Sequence, residues 1–180
     1  MFELTIKTER LVLRPFRATD AKQVQTLAGD WDVARWLSSV PHPYPDGYAE
    51  AWIAKHDQVR SEGRGYPFAV TLNGNLIGSA GVDRRKDGHL ELGYWLGKAF
   101  WGQRLMSEAA RAVVGFVFDW LAEARVVAGF VDGNEPSSRI LMGLGFVGTG
   151  AESRDSKSQR GQVTCNMLVL TRDVWAARKS

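Results

Sequence analysis

The stretch "WGQRLMSEAARAVVGFVFDWL" (residues 101–121) begins as a glycine-containing loop and continues as a helix with one apolar face. Apolar residues recur there at helical spacing, at Leu105, Ala109, Ala112, Val113, Phe116 and Trp120. The first turn of such a helix has backbone N–H groups without partners and carries a partial positive charge. The junction is therefore a candidate anion site, and phosphate is the usual anion at such a place.

The side chains at this junction suit a phosphate. Gly102 lets the backbone approach closely, and Gln103, Arg104 and Ser107 can add hydrogen-bond donors around a pyrophosphate. In the simpler alternative, Gly102 only ends a strand and Ser107 is an ordinary polar residue of a first helical turn. The stretch alone leaves both interpretations open.

Length and composition predict one domain over residues 1–180. The chain has 180 residues and is 44% hydrophobic, which is enough for one core and too little for two ordinary domains. It has no run of about 18 apolar residues, and charges occupy the N-terminus where a signal peptide needs an apolar run. We therefore expect a cytoplasmic protein without a membrane partner. The one cysteine, Cys165, lies in a strand-like run and is expected to be a small buried residue.

The charge pattern argues against nucleic acid and metal partners. The net charge is +3, from 23 basic and 20 acidic side chains that are dispersed along the chain, which is not the footprint of a nucleic-acid-binding protein. The histidines His42, His56 and His89 lie far apart and have no metal-ligand spacing. We therefore expect no metal.

The first half of the chain predicts two helices around an irregular segment. A strand is expected in "RLVLRPF", a helix in "ATDAKQVQTLAG", and a second helix from Asp46 to about Glu62, ended by Gly63. Between the helices, prolines and aromatic residues in "WDVARWLSSVPHPYPDG" break regular structure. The aromatic side chains either wall an acceptor pocket or only anchor the loop; they are Trp31, Trp36, Tyr44 and Tyr48.

The rest of the chain predicts a mixed α/β fold with about seven strands. "YPFAVTLNGNLIGSAGVDRRKDGHLELGYWLG" predicts three antiparallel strands joined at "NGN" and "KDG", and we assign "DRRKDG" only to a solvated hairpin end. A helix over 103–123 follows, and then a strand "RVVAGFV", a short helix "PSSRILMGL", a strand "GFVGTGA", a polar loop "ESRDSKSQRGQ" and a strand "VTCNMLVLT". Helices should cover both faces of the sheet.

Four stretches together resemble the GNAT superfamily of acetyl-CoA-dependent N-acetyltransferases, and most closely its ribosomal-protein N-terminal (RimJ/RimL-like) branch. They are "TERLVLRPFRATDA" (8–21), "ELGYWLGKAFWGQRLMSEA" (91–109), "NEPSSRILMGLGF" (134–146) and "VLTRDVW" (169–175). The resemblance implies a mixed, mostly antiparallel twisted sheet, α/β (α+β) in class, whose fourth and fifth strands splay apart to admit acetyl-CoA. Gly93, in the fourth strand "LELGYWLG", stands where a bulge could spread the strands, although a strand glycine can also mark close packing.

The resemblance also implies the residues that contact coenzyme A. Backbone groups of Trp95, Leu96 and Gly97 would pair with the pantetheine, Asn134 would bind the same arm, and Arg139 would approach the phosphates. The pyrophosphate would be held by Gly102, Gln103, Arg104, Leu105, Met106 and Ser107. The family usually has glycine at the position of Arg104, and we expect a right-handed backbone there because a side chain disfavours positive φ.

For catalysis, the resemblance assigns the base to Glu91, with Asp83 and Glu152 as weaker candidates. An alkyl ammonium has a pKa near 10.4, so a base is useful at neutral pH; Glu91 can equally be an ordinary exposed strand residue. The backbone N–H of Leu96 would stabilise the oxyanion. Ser137 would assist the departing thiolate, since Leu141 stands where many members have a tyrosine, or Ser137 is only a helix cap beside Pro136.

Two functional hypotheses follow. The first is an enzyme that transfers acetyl from acetyl-CoA to a primary amine, either a protein N-terminus or a small molecule, by direct attack in a ternary complex. The second is a catalytically weak or inactive acyl-CoA-binding module or sensor. A homodimer is possible in either case, because relatives often dimerise.

Overall fold

The computed structural model describes residues 4–178 and contains one eight-stranded sheet with helices on both faces. The strands are β1 (Ile6–Lys7), β2 (Leu11–Arg14), β3 (Gly65–Leu72), β4 (Asn75–Arg84), β5 (Leu90–Leu96), β6 (Arg125–Val131), β7 (Val147–Ser156) and β8 (Gly161–Thr171). The helices are α1 (Ala21–Ala28), α2 (Trp31–Ala34), α3 (Tyr48–Ile53), α4 (His56–Ser61), α5 (Leu105–Asp119), α6 (Glu135–Leu144) and α7 (Arg172–Ala177). The predicted mixed α/β class is confirmed.

The strand order creates an opening in the middle of the sheet. The order is β1-β2-β3-β4-β5-β6-β8-β7, and every neighbouring pair is antiparallel except β5 and β6. These two parallel strands pair only at Glu91 with Val127 and Leu92 with Ala128, and both then continue without pairing to each other. The predicted splay between the fourth and fifth main strands is therefore present, between β5 and β6.

Two apolar layers hold the sheet. The main core lies between the sheet and helices α5, α6 and α7, and fully buried residues such as Phe68, Phe118 and Leu141 fill it. A smaller cluster on the opposite face joins α1 and α3 to β3, β4 and Trp95 of β5. This second layer covers only the first half of the sheet, so part of that face stays open beside the splay.

Several local predictions were wrong. Residues 6 and 7 form a short strand that was not predicted, so the sheet has eight strands where about seven were expected. The expected polar loop over 152–162 is mostly the paired ends of β7 and β8, and its alternating polar residues suit an exposed hairpin. The expected helix over 46–62 is two short helices, and the aromatic segment contains the short helix α2, capped by Asp30.

Gly93 does not form a bulge. The register between β4 and β5 is continuous through the pair Gly81 and Gly93, and the irregularity lies on β3 between Val70 and Thr71. A Cβ added at Gly93 would meet no atom within 4 Å, so close packing does not explain the glycine either. The splay arises where β5 and β6 stop pairing with each other.

Candidate active site

The junction before α5 is an exposed turn with two residues in the left-handed region. Gly102 has φ +77° and Arg104 has φ 59°, ψ 14°. The expectation of a right-handed backbone at Arg104 was therefore wrong. Arg104 is the residue before α5, and its carbonyl accepts the first helical bond from the Glu108 amide at 3.2 Å. The left-handed conformation of Arg104 costs about 1–2 kcal/mol relative to the right-handed one.

A contact from the N-terminal hairpin fixes this turn. Arg10 Nη1 donates to the Gln103 carbonyl at 3.0 Å, while Arg10 Nε donates to Glu108 Oε2 at 2.7 Å. The other oxygen of Glu108 accepts from Thr8 Oγ1 at 2.6 Å and from the Arg10 amide at 2.8 Å. The carboxylate in the first turn of α5 is thus neutralised, and the turn is tied to the loop between β1 and β2.

The predicted anion-binding residues divide by burial. Gly102, Gln103 and Arg104 are exposed and Ser107 is half-buried. The side chains of Leu105 and Met106 are buried in the main core, so only their backbone amides are suited to a ligand.

The free edge of β5 borders the splay. The Gly97 amide donates to the Ile77 carbonyl of β4 at 2.9 Å, and backbone groups alternate in direction along an antiparallel strand. The backbone N–H and C=O of Leu96 therefore face away from β4, while those of Trp95 face β4. The Leu96 carbonyl accepts from Trp101 Nε1 at 2.8 Å. Of the three predicted pantetheine contacts, Leu96 has the best-oriented backbone.

The start of α6 lies across the opening from β5. Asn134 caps this helix, because its Oδ1 accepts from the Ser137 amide at 3.3 Å. The Ser137 hydroxyl is therefore not the cap; it lies 2.9 Å from the hydroxyl of Tyr94 on β5. Arg139 is exposed on the same helix.

Glu91 belongs to a closed ring of alternating charges, which we call the charge ring: Arg85, Glu91, Arg154 and Glu152. The Glu91 oxygens are 3.0 Å from Arg85 Nη1 and 2.7 Å from Arg154 Nη1. The Glu152 oxygens are 3.1 Å from Arg85 Nη2 and 2.6 Å from Arg154 Nε. Hydrogen bonds, first from Arg85 and then from Arg154, hold the pKa of Glu152 below its usual range.

Asp83 lies beside the charge ring but outside it. It is the cross-strand partner of Glu91, and its carboxylate forms no hydrogen bond or ion pair with any of residues 4–178. Desolvation by the surrounding protein, and secondly the negative charge of Glu91, raise the pKa of the Asp83 carboxyl. The site therefore contains one paired and one unpaired carboxylate on adjacent strands.

The four predicted aromatic residues have two different environments. Trp31 and Trp36 line a pocket of about 480 Å³ together with Arg35, Asp132, Gln159 and Thr164. Tyr44 packs on the second apolar cluster. The Tyr48 hydroxyl donates to the Ser39 carbonyl at 3.0 Å and accepts from Lys157 Nζ at 3.1 Å. Trp31 and Trp36 thus line a pocket, while Tyr44 and Tyr48 anchor the segment to the rest of the chain.

The tip of the β7–β8 hairpin closes one side of this pocket. Gln159 Nε2 donates to the Arg35 carbonyl at 2.8 Å, and the Lys157 amide donates to the Ser38 carbonyl at 2.9 Å. The pocket lies next to Val131, four residues beyond Val127 on β6, which is about 13 Å along the strand from the level of Glu91. The face of the sheet that carries α1 and α3 thus has the charge ring at one end and the Trp31–Trp36 pocket at the other.

The chain is similar to known proteins in sequence and in fold. The family model for the acetyltransferase (GNAT) domain matches residues 10–147. The chain belongs to the GNAT acetyltransferase family. The chain is similar to the uncharacterized N-acetyltransferase p20 from Bacillus licheniformis, to which it is 28% identical over 164 residues, covering 88% of this chain and 90% of that protein.

Solved GNAT structures show the same fold. The ribosomal-protein-S5-alanine acetyltransferase of Vibrio fischeri superimposes with a TM-score of 0.80 at 19% identity, covering 96% of this chain and 99% of that one. Mycobacterium smegmatis RimJ in complex with CoA-disulfide has a TM-score of 0.80 at 19% identity, covering 91% and 82%. The predicted likeness to the RimJ/RimL branch agrees with these neighbours.

Several residues at this candidate site were not predicted from the sequence. Arg85 comes from "DRRKDG", which was assigned no function, and Arg154 comes from the expected polar loop; both contact Glu91. Tyr94, Arg10 and Trp101 were also not selected. The lone cysteine was predicted correctly, since Cys165 is free and buried. None of the helices in the described part of the chain is long and apolar enough to cross a bilayer.

Proposed function

We propose that this GNAT protein transfers acetyl from acetyl-CoA to a primary amine, either a protein N-terminus or a small molecule, by direct attack in a ternary complex. The observation that carries the proposal is that the turn before α5 lies beside the β5–β6 splay. A strand edge and a helix start with unpartnered amides then lie at one opening, which suits a pantetheine arm followed by a pyrophosphate.

The residues at this opening fit coenzyme A. A Cβ at Gly102 would meet no atom within 4 Å, so the space over the turn is open to a ligand. The amides of residues 102–107 would hold the pyrophosphate, with Arg104 and Ser107 as further donors, and Asn134 and Arg139 would contact the same ligand from α6. Leu96, through its backbone, would contact the pantetheine and donate to the acetyl oxygen as charge develops there.

Acetyl-CoA would supply the activated acetyl thioester, and residues of the chain would accept the amine proton and donate a hydrogen bond to the departing thiolate. Glu91 or Asp83 would accept the proton of the attacking amine, directly or through water. Asp83 is a stronger candidate for this base than the sequence suggested, because its carboxylate is unpaired and its pKa is raised. Glu91 is nearer to the splay. Ser137 would donate a hydrogen bond to the departing thiolate. Trp31 and Trp36 would wall the acceptor side, and Tyr44 and Tyr48 would support them.

The test is thiol release from acetyl-CoA in the presence of peptides with free N-termini, polyamines, amino acids or aminoglycosides, with Glu91→Gln and Ser137→Ala in parallel. Release that depends on one acceptor class, and falls in Glu91→Gln, is expected. Tight binding of coenzyme A without release across the panel would instead favour the acyl-CoA-binding module or sensor. A cytoplasmic location, a single domain over residues 1–180 and a homodimer stay predictions.

A further inference from the structure

Tyr94 bridges the two sides of the splay. It lies on β5 two residues beyond Leu92, the last residue that pairs with β6, and packs against the main core. Its hydroxyl is 2.9 Å from Ser137 Oγ and 3.3 Å from the Ser137 carbonyl oxygen. The contact therefore joins the cofactor-facing strand to the first turn of α6.

The Tyr94 phenol keeps its proton throughout the neutral range. Burial raises the pKa of Tyr94 to about 12, and the hydrogen bond with Ser137 only partly offsets this. Protonated Tyr94 can donate one hydrogen bond, and of its two acceptors Ser137 Oγ, at 2.9 Å, is nearer than the Ser137 carbonyl oxygen, at 3.3 Å. When it does, the Ser137 hydroxyl has its own proton left for a third group, which must lie away from Tyr94.

We propose that Tyr94 is a positioning residue that donates to Ser137 Oγ and so directs the Ser137 hydroxyl proton to the sulfur of the departing coenzyme A. The inference rests on the proposed function. While the bond from the amine nitrogen to the acetyl carbon forms, the carbon–sulfur bond breaks and its electron pair goes to sulfur. The amine proton leaves to the carboxylates of the acceptor face or to water.

Tyr94 and Ser137 act as hydrogen-bond donors in this step and keep their protons. A thiol has a pKa near 8.5, so moving a proton from the Tyr94 phenol to the thiolate is disfavoured by about three orders of magnitude. A hydrogen bond to an ionised acceptor is roughly twice as strong as a neutral one, and a donor behind Ser137 strengthens it further. The pair therefore stabilises a thiolate that leaves unprotonated.

The test compares coenzyme A with desulfo-coenzyme A, which lacks the sulfur, as ligands of the wild type and of Tyr94→Phe. At pH 9, where more of the thiol is ionised than at pH 7, Tyr94→Phe should bind coenzyme A about fivefold more weakly and desulfo-coenzyme A unchanged. At pH 7 the difference should shrink. Tyr66→Phe is the matched control, because Tyr66 packs against the same core from β3.

A mutant cycle separates positioning from a general structural role. If Tyr94 acts through Ser137, the double variant with Ser137→Ala should lose no more coenzyme A affinity at pH 9 than Ser137→Ala alone. Equal weakening of both ligands by Tyr94→Phe, or additive losses in the cycle, would overturn the inference. Failure of the wild type to bind either ligand would overturn the proposed function itself, which is a different result.

Discussion

The proposed site has a cofactor side and an acceptor side, and the two use different parts of the chain. On the cofactor side, the contacts expected for coenzyme A come mainly from the backbone, at the Leu96 edge of β5 and the turn at 102–107. On the acceptor side, the face is built from side chains of separate elements, with Arg85 and Glu91 near the β4–β5 turn and Glu152 and Arg154 on β7.

This difference has a consequence for substitutions. A backbone site depends on dihedral angles and tolerates most side chains, as Arg104 illustrates by occupying the left-handed region with a bulky residue. A side-chain site depends on each partner, because removing one member of an ion-paired set leaves another without its counter-charge. We therefore expect cofactor affinity and catalytic rate to respond to different sets of residues.

The largest expected effect concerns the helical layer on the acceptor side. His56 is buried between Phe16 and Trp52, and neither ring nitrogen has a hydrogen-bond partner among residues 4–178. Burial, and secondly the charge of Arg60, lower its pKa from 6.5 to about 4. Between these values the unfolded chain binds more protons, so the free energy of unfolding should fall by about 3 kcal/mol as pH drops from about 6.5 to 4.

Urea unfolding across this pH range measures the effect, with His56→Phe as the control. The phenyl ring can pack between the same aromatic neighbours and carries no proton, so the variant should lose this part of the pH dependence. An unchanged pH profile in His56→Phe would show that other groups cause the loss.

The next effect tests the charge ring. Glu91→Gln should lower kcat about 100-fold if Glu91 accepts the amine proton, while the affinity for coenzyme A stays within twofold of the wild type. Asp83→Asn is the matched variant on the adjacent strand. A large loss in Asp83→Asn with little loss in Glu91→Gln would assign the base to Asp83, and equal weakening of coenzyme A binding would contradict the division between the two sides.

A smaller effect is expected from backbone strain on the cofactor side. Gly102→Val should weaken coenzyme A binding about 30-fold, because a β-branched residue is strained at φ +77° and the turn must change shape. Gly88 in the β4–β5 turn has φ +87° and equally open surroundings. Gly88→Val should therefore cost similar stability and leave coenzyme A affinity unchanged, as equilibrium dialysis can show.

The smallest expected effect comes from the support behind the turn. Arg10→Ala should weaken coenzyme A binding about fivefold, since it loosens Gln103 and exposes the charge of Glu108 near the expected pyrophosphate. The double variant Arg10→Ala with Glu108→Gln should recover part of the affinity. A further loss in the double variant would mean that the crosslink matters and the charge does not.

The sequence predicted the strand and helix around the turn at 102–107 better than the contacts of the charge ring, for a physical reason. A strand edge and a helix start are local features, so the 91–109 stretch carries both in one continuous run. The left-handed Arg104 escaped prediction because a distant residue, Arg10, helps to hold the turn. The mixed α/β class followed from the order of strands and helices, and the splay was implied by the resemblance to the GNAT superfamily.

The acceptor side depends on long-range pairing that local patterns do not reveal. Glu91 and Glu152 are separated widely in sequence, and strands β6 and β8 lie between β5 and β7 in the sheet. The side chains of Arg85 and Arg154 connect the two carboxylates, although the polar surroundings of Arg154 resembled a loop. Likewise, Ser137 looked like a cap because of Pro136, whereas Asn134 performs that role one turn earlier.

Hydrogen–deuterium exchange with and without coenzyme A tests the central claim most directly. Amides of the segment from Leu96 to Ser107 should exchange more slowly with the ligand, while those of the β7–β8 tip at 156–160 should change little. Unchanged exchange over 96–107 under saturating coenzyme A, or protection confined to the hairpin tip, would contradict a cofactor site between β5 and β6.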